Sequence, residues 1–311
     1  MQRLAIIRLV IVLMVAMVLA ACGSRPAQGD GLKVVASTTL VGDVVREVGG
    51  QYIDLSVILP VGTDPHTFEP RPQDMAMLSD GQLVFINGLG LEEALKPSLD
   101  ANVKGRIVEV SQGIDALPFV AGHEGNSNDR KENPRATGDP HTWMDPNNTI
   151  IWTQNIAAAL AQADPVHASD YNANAQAYIN KLKELDGWIR QKVEQVPGEN
   201  RKLVTDHAVL AYFAKKYGFE QVGLVVPALS TNAAPSAQEL AALEDTIRKI
   251  GVQAIFVSKE ANPAISSQVA QDTGVNLVPI YSGSLGEAGS GAETYLDWMR
   301  HNVNAIVEAL K

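Results

Sequence analysis

Residues 164–196 carry one uninterrupted apolar stripe, and nothing else in the chain limits the possible folds as strongly. Tyr171, Tyr178, Leu182, Leu185, Ile189, Val193 and Val196 recur at intervals of three, four and seven, so they line one face of a helix for more than six turns. Asp164-Pro165 is a cap-plus-proline start signal, and Pro197-Gly198 stops the run. At 1.5 Å per residue, ~30 residues span roughly 45 Å, enough to run along two domains.

The flanking sequence has that two-domain form. Before the stripe, β-rich runs at 33–37, 53–59, 83–87 and 106–110 alternate with helical runs at 40–48, 72–79 and 91–99. A helix from 147 to about 161 leads into the stripe. After it, strands at 202–205, 221–225, 254–257 and 276–280 alternate with helices at 210–217 and 265–273 and one opened by the capping-box spacing Ser236-Ala237-Gln238-Glu239. A last helix covers 294–310. The implied fold class is α/β: two lobes, each a mostly parallel sheet with flanking helices, joined by one long backbone helix. We place the N-terminal lobe at 33–146, the linking helices at 147–197 and the C-terminal lobe at 198–311. Such sheets bind ligands beyond the carboxyl ends of their strands, which puts a site in the cleft between the lobes.

The first 21 residues read as an export signal: Arg3 and Arg8 precede an apolar run at 9–21 that is too short to span a membrane. Leu19-Ala20-Ala21-Cys22-Gly23 resembles the bacterial lipoprotein signal, in which cleavage precedes a cysteine that then carries lipid. Cys22 is the sole cysteine, so a disulfide framework is impossible and lipid attachment is its best use. Residues 22–32 form a polar tether, and the domains hang outside the cytoplasm. With 25 basic and 35 acidic residues the formal charge is −10, and loss of Arg3 and Arg8 makes it −12, which argues against nucleic acid as a partner.

Three histidines sit where such a cleft would form, each within two positions of an aspartate: His66 in Asp64-Pro65-His66, His141 in Asp139-Pro140-His141 and His207 in Asp206-His207. A nearby carboxylate can fix an imidazole's tautomer as an outer partner of a metal ligand; the same Asp can equally be a turn or cap residue. We read His141 as a ligand that needs the other two. No HExxH or CxxC spacing supports the triple, so the argument is positional: three loop histidines at strand ends or helix starts. His123, His167 and His301 read as surface or core residues.

Longer motifs surround these histidines. Asp64-Pro65-His66-Thr67-Phe68-Glu69-Pro70, Asp139-Pro140-His141-Thr142-Trp143, Thr205-Asp206-His207-Ala208, Leu229-Ser230-Thr231 and Thr294-Tyr295-Leu296 with Met299-Arg300-His301 together resemble the metal-binding lipoproteins of bacterial ABC importers for zinc and manganese. The resemblance covers nearly the whole exported chain. It implies that His66, His141 and His207 hold a transported Zn2+ or Mn2+, with no catalytic cofactor. It also implies a monomer that serves an ABC permease and its ATPase subunit and is anchored through lipid on Cys22. Residues 121–138 take the place of a His-rich segment in zinc members but contain only His123. Many relatives carry a ligand Asp where this chain has Gly283, which leaves the fourth position to water or to Glu287. Three imidazoles without a carboxylate tilt the site toward zinc, with manganese or mixed-metal uptake as the alternative. Two more distant readings are a zinc-dependent hydrolase, since three histidines with an open position also suit catalysis, and a surface adhesin.

Overall fold

The computed structural model describes residues 31–118, 138–226, 231 and 234–311. The export signal, Cys22, most of the tether and His123 lie outside the described residues.

In the first lobe, β1 (Leu32–Ala36), β2 (Ile53–Val57), β3 (Leu83–Ile86) and β4 (Arg106–Glu109) form a parallel sheet in the order β2-β1-β3-β4. Its helices are α1 (Thr39–Gly49), α2 (Pro72–Asp80) and α3 (Lys96–Asn102). Two long helices follow, α4 (Pro146–Ala163) and α5 (Ala168–Val193). The second lobe repeats the plan with β5 (Lys202–Thr205), β6 (Glu220–Leu224), β7 (Ala254–Ser258) and β8 (Asn276–Ile280), all parallel in the order β6-β5-β7-β8. Its helices are α6 (Ala211–Tyr217), α7 (Ala237–Ile250), α8 (Ala264–Thr273) and α9 (Tyr295–Leu310). Among the described residues no helix is long and apolar enough to cross a membrane.

The architecture is that expected from the sequence, with two local differences. The backbone helix is 26 residues long, so it spans ~39 Å rather than 45 Å. Pro165 begins a separate 3-10 turn through His167, and Val196 falls in the turn after the helix, although it stays buried. The second difference is at 91–99, where helix starts only at Lys96. The preceding residues are held in turns because Gly88, Leu89 and Gly90 all have positive φ, and because the buried Glu92 carboxylate accepts hydrogen bonds from the Asn87 and Gly88 amides at 2.7 and 3.1 Å.

The α5 stripe is what joins the lobes. Tyr171, Tyr178, Leu182, Leu185, Ile189 and Val193 are buried in one continuous apolar cluster that runs from Val34 and Phe85 in the first sheet to Leu203 and Phe256 in the second. Smaller clusters cover the outer face of each sheet. Polar contacts cross between the lobes as well. The Asp43 carboxylate of α1 accepts the Tyr295 amide at 2.8 Å, where α9 begins, and Leu285 N donates to Thr39 Oγ1 at 2.9 Å.

Burial outweighs the Tyr295 amide and Arg46, and raises the Asp43 pKa from 3.8 to about 6. An acid whose folded pKa is raised gives its full stability below the unfolded value and loses it as pH rises through the folded one. Compared with Asp43→Asn, the native chain should therefore lose on the order of 2–3 kcal/mol of stability between pH 3.5 and 6.5. Denaturant titrations of both chains across that range check this; parallel curves would contradict it.

Candidate metal centre

His66 lies in the loop after β2, His141 in a turn just before α4, and His207 two residues past β5. The sequence places them 75 and 66 positions apart, and the fold brings one ring nitrogen of each within 4.8 Å of the others. The His66 and His141 Nε2 atoms are 3.1 Å apart. Ring centroids are 5.1 Å apart for His66–His141 and His141–His207, and 5.5 Å for His66–His207. His141 and His207 are buried, and His66 is half-buried.

The neighbouring aspartates differ in what they do. Asp139 Oδ1 accepts both the His141 amide at 2.8 Å and its Nδ1 at 2.7 Å; Asp206 Oδ1 does the same for His207 at 2.8 and 2.9 Å. A carboxylate can only accept, so each ring donates from Nδ1 and turns a lone pair at Nε2 toward the cluster. Asp206 is itself held by the Ser258 amide at 2.7 Å. Asp64, in contrast, receives the His66 amide at 2.9 Å and the Thr231 hydroxyl, and makes a turn rather than a ring contact. Trp143 packs edge-on to His141, and its indole donates across the lobes to Ser282 O at 2.8 Å.

The partly open pocket beside the three histidines has an inner space of about 10 Å³, room for one water-sized sphere or one ion, and residues of both lobes line it. Gly283 is part of that lining. Glu287 is not: its carbonyl accepts the Ser290 amide in a surface turn, and its side chain is exposed. The lining carboxylate that sequence reasoning missed is Glu260, two residues beyond β7. Its position at the carboxyl end of a strand of the second sheet was the available signal. Burial pushes its carboxyl up, against hydrogen bonds from Ser282. His167 stacks on Tyr52 and bonds Asp164 at 2.6 Å, while His301 packs against Tyr281, so both lie outside the cluster.

Residues 34–309 match the family described as zinc-uptake complex component A, periplasmic. The chain is 34% identical over 306 residues to the manganese-binding lipoprotein MntA of Halalkalibacterium halodurans, covering 96% of this chain and 97% of the relative. It is 31% identical over 313 residues to the manganese ABC transporter substrate-binding lipoprotein PsaA of Streptococcus pneumoniae, covering 97% of each. Among solved structures it resembles a Mn-bound periplasmic metal-binding protein of Candidatus Liberibacter asiaticus, with a TM-score of 0.77, 26% identity, and coverage of 89% of this chain and 99% of that one. The periplasmic zinc-binding protein TroA of Treponema pallidum is similar with a TM-score of 0.76, 26% identity and coverage of 89% and 98%.

The three imidazoles sit in different fields. Burial, then His141 and His207, hold His66 well below the ordinary histidine value, and burial lowers His141 despite Asp139. Burial acts the same way on His207, yet the Asp206 charge and hydrogen bond outweigh it and raise the value above 6.5. Replacing Asp206 with Asn removes that charge and leaves the burial. The His207 pKa should then fall below 6.5, read by NMR titration of the ring in metal-stripped protein; an unshifted His207 would show that Asp206 does not control it.

Proposed function

The chain belongs to the zinc-uptake complex component A family, and from that premise we propose that it captures a divalent transition-metal ion outside the cytoplasm for an ABC importer. The ion is held between the lobes by Nε2 of His66, His141 and His207 and handed to a membrane permease driven by its ATPase subunit. The observation that carries this reading is the convergence of three imidazoles, two of them oriented by carboxylates, on a space of about 10 Å³. Relatives named as lipoproteins and periplasmic binding proteins support an extracytoplasmic, membrane-anchored chain; in this reading the sequence signal around Cys22 supplies the lipid anchor, and the chain works as a monomer.

For the ion itself, three imidazoles favour zinc, whereas relatives named for manganese favour manganese. The cargo is therefore taken as either of these two ions. A hydrolase fits less well: Asp206 is tied to His207 and Ser258 rather than free to act as a base. The shared apolar core restricts opening to local movement of the site loops, His207 included.

Single replacement of His66, His141 or His207 by Ala should weaken zinc and manganese binding by at least about tenfold, and His301→Ala should leave it unchanged. Competition titration of metal-stripped protein against a chelator measures this. Equal effects at all four positions would overturn the ligand assignment.

A further inference from the structure

Position 283 lines the cavity without a side chain, and the fold keeps it so. A Cβ there would stand 2.6 Å from Pro65 Cδ and 2.8 Å from Pro65 Cγ, well inside the 3.5–4.0 Å at which carbon atoms attract. Pro65 adjoins His66, so any side chain at 283 would push on the turn that carries the first imidazole.

Two carboxylates line the cavity, Asp64 and Glu260. Both Asp64 oxygens are engaged, by the His66 amide and the Thr231 hydroxyl. Glu260 is held chiefly by Ser282: Oε2 accepts its amide at 3.2 Å and its hydroxyl at 3.0 Å, and Oε1 accepts the same amide at 3.4 Å, with the Glu260 and Ser284 amides close enough to favour the charged carboxylate as well. Ser282 directly precedes Gly283, and its own carbonyl is fixed by Trp143. The acid is thus tied to the segment that lacks a ligand side chain.

We propose that Glu260 is the oxygen ligand of this site, supplying from the end of β7 the carboxylate that position 283 has no room to present. The ion then has three imidazole nitrogens and one carboxylate. The three nitrogens lie within 4.8 Å of one another, and the carboxylate stands outside that group, so it closes on the ion by side-chain rotation away from Ser282. This rests on the metal-capture reading above and adds to it the donor that sets ion preference. A hard oxygen donor lets Mn2+, which prefers carboxylates, compete at a site whose imidazoles alone favour Zn2+.

The test uses metal-stripped protein carrying Glu260→Gln or Glu260→Ala, titrated with Zn2+ and Mn2+, with His141→Ala alongside. In both Glu260 variants manganese affinity should fall by at least about tenfold and zinc affinity clearly less. The visible d–d spectrum of Co2+-loaded protein, which reads the donor set, should differ between each variant and the native chain. An unchanged spectrum, with or without a loss of affinity, would overturn the proposal, because a residue acting only on structure leaves the donors alone. Equal losses for the two ions would overturn the preference role. If His141→Ala bound metal like the native chain, the capture reading itself would fail; if His141→Ala lost metal while the Glu260 variants matched the native chain, only the present proposal would.

Discussion

The structure depends on one apolar face of one helix. Tyr171, Tyr178, Leu182, Leu185, Ile189 and Val193 cannot be buried by a single four-stranded sheet and its helices, so α5 takes a lobe against each end and the two cores merge. With 26 residues of helix common to both, the carboxyl ends of the two parallel sheets are held facing one another. Site residues can then come from loops far apart in sequence without any one loop having to form the site. Tyr295 bound to Asp43 and Trp143 bound to Ser282 add polar links across the same boundary.

Within that frame the site balances burial against charge. Burial is the main reason that His66 and His141 are held below their ordinary value, and the closeness of the three imidazoles adds to it by disfavouring one another's protonation. Asp139 and Asp206 set the rings so that Nε2 faces inward, and Asp206 alone supplies enough charge to lift its partner. The arrangement concentrates lone pairs and negative charge around a space the size of one ion, which suits a cation.

Much of this was legible in the sequence because it rests on strong local patterns. The eight strands of the described residues and the long stripe come from hydrophobic periodicity, and the three Asp-linked histidines stood out by their place at strand ends or helix starts. What was not legible depended on contacts distant in sequence. The late start of α3 follows from Glu92 bonding back to Asn87, not from helix propensity at 91–95. The aspartates look alike in sequence, but only Asp139 and Asp206 reach a ring, since Asp64 is turned toward Thr231. Glu260 was not legible because no motif marks it in the sequence: only the folded position beyond β7 brings it to the cavity beside Ser282 and Gly283. Glu287 is nearer to Gly283 in sequence, yet it points into solvent from a surface turn. With Glu260 in the cavity lining, the site is not free of carboxylates as the expectation of zinc required.

The central claim is that one ion is shared by histidines of both lobes. It is tested most directly by growing crystals of the Mn2+-loaded protein and mapping anomalous scattering from the metal. The account predicts a single peak within about 2.0–2.4 Å of the Nε2 atoms of His66, His141 and His207 together. A peak elsewhere, or one bound by the histidines of only one lobe, would contradict it.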